Sequence, residues 1–191
     1  MKHGIGTHKP FDDNKRRQWQ NPEAILSSIG LRPGMTFVDI GCGGGFFALP
    51  ATRIVGANGK VYGLDTNADS IATLKEQAIR ESINNLHLTV GKGEELVLCE
   101  RCADIVFFGM ALHDFQDALK VLGNAKRMIK PSGILVNLDW KKEQMELGPP
   151  LRIRFDEEMA VHLIETAGFK VETVQDSGPY HYVVIALGCS T

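Results

Sequence analysis

The sequence lacks the features that assign a chain to several large classes of protein. None of its apolar runs approaches the roughly 20 residues that a membrane-spanning helix needs. Its 21 basic and 23 acidic side chains give a net charge of −2. Such a balance offers no support for an electrostatic nucleic-acid binder. We therefore expect neither a membrane nor a nucleic acid as a partner, and nothing indicates an oligomeric state.

Cysteine is scarce, with four residues, and their spacing does not complete a metal site. Cys99 and Cys102 form a single CxxC, but no second pair or nearby histidine motif supplies the four ligands of structural zinc. Residues 1–10 are polar and lack the apolar core of a signal peptide. We expect a cytoplasmic protein without a bound metal, whose cysteines are thiols. The CxxC is then either a chance pair or a redox-sensitive surface pair.

What the sequence does contain is an alternation of strand-like and helical patterns. Strand-like runs cover residues 36–40, 60–64, 86–90, 103–108 and 133–138, with amphipathic helical periodicity between several of them. Two more candidates, 169–174 and 182–187, are joined by a link too short for a crossover helix, so they should pair antiparallel. We predict one α/β domain over residues 1–191, in which a mostly parallel sheet carries helices on both faces.

Capping residues predict where the later helices begin and end. Asp114 is a plausible N-cap for the helix that carries Ala118 to Ile129, and residues 130–133 should end that helix and start the next strand. Asp156 should cap a later helix that closes at Gly168. Residues 141–152 form a long irregular connection after a core strand, where loops of open α/β sheets line the ligand crevice.

A glycine cluster follows the first strand, where residues 37–47 read FVDIGCGGGFF. A dinucleotide fingerprint would put Phe46 at its third glycine position, and the Gly-Lys-Ser/Thr of a phosphate-binding loop is absent. Asp39, inside the strand, suits a ligand that bears an ammonium group. Asp65, at the end of the next strand, can accept hydrogen bonds from two ribose hydroxyls. An amine at one end and a ribose at the other describe S-adenosylmethionine (SAM).

At these residues the chain resembles the class I SAM-dependent methyltransferases, and within them the small single-domain ubiquinone-biosynthesis-like group. Residues 38–45 resemble the family's first motif and 61–65 its ribose-binding strand end. Residues 103–114 resemble its fourth-strand segment, and 127–135 the turn into its fifth strand. The resemblance covers residues 16–188. It implies a Rossmann-like three-layer α/β/α sandwich with a seven-stranded sheet and an antiparallel C-terminal hairpin strand.

The resemblance also implies which residues bind the cofactor. They are Asp39, Gly41, Cys42, Gly43, Gly45, Asp65, Thr66, Gly93, Glu94, Met110 and Ala111. The three glycines at 41, 43 and 45 allow close backbone approach, Asp39 helps to hold the methionine amino group, and Asp65 takes the ribose diol. Lys92 stands where the family often has an acid facing adenine, so either Glu94 or backbone atoms would hold adenine N6.

The predicted reaction is an in-line displacement at the methyl carbon of SAM, toward an unidentified small-molecule acceptor. The enzyme contributes mostly positioning and exclusion of water. Where the acceptor is protonated, as a phenol or an amine would be, His113 is the first candidate for a general base. Asp139 and Trp140 end the fifth strand beside the crevice, where a substrate-pocket role and a packing role are both open. Residues 180–182 should pack the hairpin.

Two further expectations concern the N-terminus and rival functions. We expect residues 1–20 to be an extension that folds over the crevice as a lid through His8, Phe11 and Trp19. Lys92 keeps open a catalytically silent SAM-binding regulator or partner subunit. A nicotinamide-dependent oxidoreductase is disfavoured by Phe46 and by the absence of any Tyr-x-x-x-Lys segment.

Overall fold

A seven-stranded sheet lies at the centre of the computed structural model, which describes residues 13–188. The strands are β1 Thr36–Ile40, β2 Lys60–Asp65, β3 Leu86–Val90, β4 Ala103–Gly109, β5 Ile129–Trp140, β6 Phe169–Ser177 and β7 His181–Gly188. The helices are α1 Asp13–Arg16, α2 Pro22–Ser28, α3 Ala48–Val55, α4 Ala68–Arg80, α5 Ala118–Met128 and α6 Glu157–Thr166. Two 3-10 turns lie at Leu112–Asp114 and Leu151–Ile153. None of the helices between residues 13 and 188 is long and apolar enough to cross a bilayer.

The strand order is β3-β2-β1-β4-β5-β7-β6. Strands β1 to β5 are parallel to one another, whereas β7 runs antiparallel to both β5 and β6. This is the predicted fold, with helices on both faces and an antiparallel C-terminal hairpin, and it is confirmed. Because β1 lies between β2 and β4, the loops that leave these three strands emerge at one edge of the sheet.

The two faces of the sheet are buried in separate apolar cores. One core joins α2 and α3 to the sheet through Leu26, Leu49 and Phe107. The other joins α5 and α6 through Leu122 and Ile164. Central strands that are covered on both faces read as continuous apolar runs, which is why β1 and β4 were recognisable in the sequence.

The structure corrects the predicted start of α5. Asp114 belongs to the 3-10 turn, and Phe115 is extended (φ −73°, ψ 139°), so the chain leaves helical geometry before α5 begins. The N-cap is Asp117, whose side chain accepts a hydrogen bond from the Lys120 amide at 2.9 Å. The cap predicted for α6 is confirmed, since Asp156 accepts from the Met159 amide.

The boundary predicted at residues 130–133 is also misplaced. Strand β5 already begins at Ile129, and residues 130–133 form an irregularity within it. Ala103 pairs with Ile129, whereas Ile105 pairs with Ile134, so four residues of β5 lie opposite Asp104. Lys130 binds the Asp104 carboxylate at 2.7 Å, which stabilises this detour.

The expectation of free thiols is wrong for the CxxC pair. Cys99 and Cys102 are joined by a disulfide, with their Cα atoms 5.9 Å apart, within the range that a disulfide bridges. The positive φ of Arg101 (49°) turns the chain back between the two cysteines. Cys42, by contrast, is a free and buried thiol.

The long connection after β5 is organised by one buried cation. The Arg154 side chain is almost fully buried and donates hydrogen bonds to four backbone carbonyls of this connection. They belong to Lys141 (3.1 Å), Glu143 (3.1 Å), Leu147 (2.8 Å) and Pro149 (2.8 Å). The loop therefore has a defined path, and Gly148 (φ 89°) lies so close to the Trp140 ring that a Cβ there would sit 2.8 Å from it.

We expect Arg154→Met to lower the free energy of unfolding by about 2–4 kcal/mol, because it leaves buried carbonyls without donors. Chemical denaturation measures the change. Arg152→Met is the matched control, since Arg152 is exposed on the neighbouring turn and should have almost no effect. Equal stability of the two variants would contradict the assigned role of Arg154.

Candidate active site at the carboxyl edge of the sheet

The glycine loop after β1 meets the segment after β4. Gly41 has φ 81°, and a Cβ at that position would lie 2.6 Å from the Cβ of Ala111. Only glycine combines the left-handed backbone with so close an approach. The amides of Gly41 and Cys42 both donate to the Leu64 carbonyl, at 2.8 and 3.0 Å, which ties the loop to the end of β2. Residues predicted at the cofactor from three strands therefore converge on one edge.

Asp65 stabilises the glycine loop and the exit from β2. One carboxylate oxygen accepts from the Gly43 amide at 2.7 Å, and the other accepts from the Asn67 amide at 2.8 Å. Asp65 is not the cap of α4, because the Asn67 side chain accepts from the first free amides of that helix. Each carboxylate oxygen retains a second lone pair that a ribose hydroxyl could use. Thr66 follows at the exposed exit.

Asp39 is a buried carboxyl with an unused acceptor. Its side chain points to the α2–α3 face of the sheet, and its Oδ2 has no hydrogen-bond partner among the described residues. Burial, together with the charge of Asp65 and against the opposing charge of Arg16, raises the pKa of Asp39 to about 7. An unpaired buried acceptor is unfavourable. A ligand ammonium group would satisfy it, so this residue fits the amino group of SAM.

The other predicted cofactor residues occupy distinct places. Met110 has φ 60° and donates its amide to the Leu138 carbonyl at 2.7 Å, which holds it at the crevice. The Cys42 side chain lies in the apolar core against Gly63, and burial raises the pKa of its thiol. Its contribution to a ligand site is therefore limited to its backbone and its small size.

The segment predicted to face adenine is fixed by α5 and by the residues that precede this helix. The Gly93 carbonyl accepts from the Asn124 side chain at 2.8 Å, and Glu94 accepts from the Gln116 amide at 3.1 Å. Lys92 is exposed and pairs with Glu95 at 3.0 Å. Lys92, which stands where the resemblance leads us to expect an acid, thus forms an ion pair at the surface.

His113 and Asp139 form a buried dyad. His113 Nδ1 lies 2.7 Å from Asp139 Oδ1, and the same oxygen accepts from the Trp140 amide at 2.8 Å. Asp139 Oδ2 is buried without a partner among the described residues. Burial lowers the pKa of His113, but the hydrogen bond and charge of Asp139, with a contribution from Asp114, outweigh it, so the net shift is upward. Sequence reasoning left Asp139 open; the structure places it as the partner of His113.

Aromatic rings line the neighbouring part of the edge. We call Trp19, Trp140, Tyr180 and His181 the aromatic cluster. Trp19 stacks on His181 with ring centroids 5.4 Å apart and planes at 15°, and it lies 5.7 Å from Trp140. Burial lowers the pKa of His181 to about 3, so its imidazole is neutral. Residues 180 and 181 pack as expected, but they pack against the N-terminal segment as well as within the hairpin.

The N-terminal segment contributes two residues that sequence reasoning did not single out. Arg16 lies over the Phe46 ring, and Gln20 is buried and binds the Met110 sulfur through its amide nitrogen at 3.5 Å. The only sequence signal was the pair of arginines ahead of Trp19, which matches no binding motif. His8 and Phe11, named with the lid, lie outside the described residues.

The chain was then compared with known proteins. A family model described as a methyltransferase domain matches residues 31–175. A demethylmenaquinone methyltransferase of Staphylococcus aureus (strain MRSA252) is 30% identical over 115 residues, which are 60% of this chain and 47% of that protein. The chain spans about half the length of the curated relatives it matches.

Solved structures agree with the family match. A SAM-dependent methyltransferase from Aquifex aeolicus is 30% identical, with a TM-score of 0.86 over 93% of this chain and 99% of that one. A [4+2]-cyclase shares the fold at 14% identity, with a TM-score of 0.77 over 89% of this chain and 81% of its own. That likeness concerns the fold alone. The predicted resemblance is confirmed, and the chain belongs to the methyltransferase domain family whose members include SAM-dependent enzymes.

Proposed function

We propose that this protein transfers a methyl group from SAM to a small-molecule acceptor. The observation that carries the proposal is the placement of a buried imidazole–carboxylate pair, His113 and Asp139, at the same edge as the unpaired Asp39 carboxyl. Three positions separate His113 from Met110, which lies at the donor end of the crevice. A donor site and a proton acceptor are thus adjacent on one segment.

Asp39 would hold the amino group of SAM and Asp65 its ribose. The backbone of the glycine loop would lie against the ligand. When bound, it supplies a methyl group activated on a sulfonium. The protein's residues position the acceptor and exclude water. A carboxylate at Asp139 only accepts, so it holds the proton of His113 on Nδ1, and Nε2, which lies 3.5 Å from Asp114 Oδ1, is the nitrogen that would take a proton from the acceptor. His113 therefore suits acceptors that lose a proton on methylation.

Demethylmenaquinone is the first acceptor to test, because curated relatives carry that name, although the shared part is about half their length. The catalytically silent alternative was suggested by Lys92, which is engaged with Glu95 at the surface and gives it no support. We also propose a cytoplasmic location and a lid formed by the N-terminal extension of one domain. The packing of Trp19 on His181 supports the lid.

Methyl-labelled SAM, mixed with the protein and either reduced demethylmenaquinone or fractionated metabolite extract, tests the proposal. We expect label to appear in one acceptor fraction only when the protein is present. Titration calorimetry measures, in parallel, whether the protein binds SAM, its demethylated product or NAD. Binding of SAM without label transfer to any fraction would favour the silent regulator, and binding of NAD alone would overturn the proposal.

SAM binding should release a proton near neutral pH. The pKa of Asp39, about 7 in the ligand-free protein, must fall when an ammonium group binds. We expect release of about one proton at pH 6 and almost none at pH 8, with affinity rising over this interval. Calorimetry in buffers of different ionisation enthalpy measures the release. Asp39→Asn should abolish this proton release, whereas Glu76→Gln, at an exposed position of α4, should not.

The raised pKa of Asp39 also means that the ligand-free protein loses stability as pH rises toward and through 7.

His113→Ala should lower kcat by about 10²-fold or more, because the acceptor loses its base. SAM affinity should stay nearly unchanged. Activity of the wild type should rise with pH through a His113 pKa above its ordinary value, and Asp139→Asn should move that inflection to lower pH. Steady-state rates over a pH series provide the measurement. His162→Ala, exposed on α6, is the control. An unchanged kcat in His113→Ala would remove His113 from the reaction.

A further inference from the structure

The guanidinium of Arg16 is held over the crevice by residues of three segments. It lies 3.7 Å from the centroid of the Phe46 ring, directly after the glycine loop. Its Nε donates to the Gln20 side-chain oxygen at 2.7 Å, and one terminal nitrogen lies 3.9 Å from the Met110 sulfur. Gln20 also binds that sulfur, so Arg16, Gln20 and Met110 form one network. These contacts fix the position of the positive charge.

The fixed charge has no carboxylate in contact with it in the described part of the chain. Asp13 and Asp39 act on Arg16 through their charge, but neither forms an ion pair with it. A guanidinium has five N–H donors, and the contacts above use one on an oxygen and one weakly on a sulfur. The remaining donors match the geometry in which arginine binds a carboxylate through two parallel hydrogen bonds.

Burial makes this arrangement costly unless an anion is present. Burial lowers the pKa of Arg16 to about 10, against the opposing charges of Asp13 and Asp39. The ring of Phe46 offsets only part of such a cost at a partly desolvated site. The aromatic cluster holds the backbone of this segment in place through Trp19, and the contacts with Phe46 and Gln20 hold the Arg16 side chain itself.

Asp39 precedes the glycine loop, and Arg16 lies over Phe46 directly after it, so a carboxyl group and a guanidinium flank the same loop. An α-amino acid carries a positive and a negative group on one carbon. We propose that Arg16 binds the α-carboxylate of the methionine moiety of SAM, while Asp39 binds its α-ammonium group. This inference rests on the proposed function and adds to it a residue that recognises the amino-acid end of the donor. It also gives the N-terminal segment a defined role in donor binding.

The test compares two donors that differ in one group. Decarboxylated SAM keeps the amine, the sulfonium, the ribose and the adenine, and lacks only the carboxylate. We expect wild-type protein to bind SAM about tenfold or more tightly than decarboxylated SAM, as loss of charge-assisted hydrogen bonds predicts. Arg16→Gln should weaken SAM binding by a similar factor and leave the affinity for decarboxylated SAM almost unchanged. Titration calorimetry measures all four affinities.

Arg17→Gln is the matched control, because Arg17 is exposed and pairs with Glu23 at 2.8 Å. It should leave both affinities unchanged, and both variants should keep the wild-type unfolding midpoint. Equal weakening of the two ligands in Arg16→Gln, or a wild type that does not distinguish them, would overturn the inference while leaving SAM binding intact. A wild type that binds neither ligand would instead overturn the proposed function on which the inference rests.

Discussion

The contact between Gly41 and Ala111 is the constraint on which the rest of the site depends. With no Cβ at Gly41, the loop after β1 approaches the segment after β4 so closely that a Cβ at position 41 would lie 2.6 Å from the Cβ of Ala111. Met110 and His113 flank that contact, so the same approach sets the donor end and the candidate base side by side. A methyl group at position 41 would have to displace one loop from the other. The parallel arrangement of β2, β1 and β4 makes this contact available, because all three strands end at one edge.

Buried polar atoms without partners accumulate at this edge. Among the described residues, Asp39 Oδ2, Asp139 Oδ2, His181 Nε2 and, two residues before Asp139 in β5, Asn137 Oδ1 and Nδ2 are in this condition. Each such atom destabilises a folded protein by about 1–3 kcal/mol. Asp39 and Asp139 are the penultimate residues of β1 and β5, and His181 begins the antiparallel β7 opposite Trp140, so these three side chains share one end of the sheet. Ligands that supply donors there would offset the destabilisation, which is the physical reason why we propose this edge as the active site.

Sequence periodicity predicted most of the fold because the central strands are buried on both faces. The boundaries failed where side-chain caps compete, as at Asp114 and Asp117, since both acids precede the same helix and only the backbone at Phe115 decides between them. At residues 130–133 the pattern indicated a turn, whereas β5 accommodates those residues as a detour opposite Asp104. The disulfide between Cys99 and Cys102 was missed because spacing alone does not give the backbone turn at Arg101.

The candidate site divides into a part that short motifs encode and a part that long-range packing creates. Asp39 precedes the glycine loop and Asp65 is the last residue of β2, so local sequence identifies them. The pairing of His113 with Asp139 joins the ends of β4 and β5, and no short pattern announces it.

Arg16 and Trp19 lie on one short segment, which constrains the donor and acceptor sides together. Arg16 lies over the Phe46 ring beside the glycine loop, and Trp19 packs in the aromatic cluster beside Trp140. Any displacement of this segment therefore changes both sides at once. In such an arrangement, the backbone torsions of this segment determine both how the donor fits and what shape the acceptor pocket has. Acceptor selectivity therefore has to be measured with the donor bound.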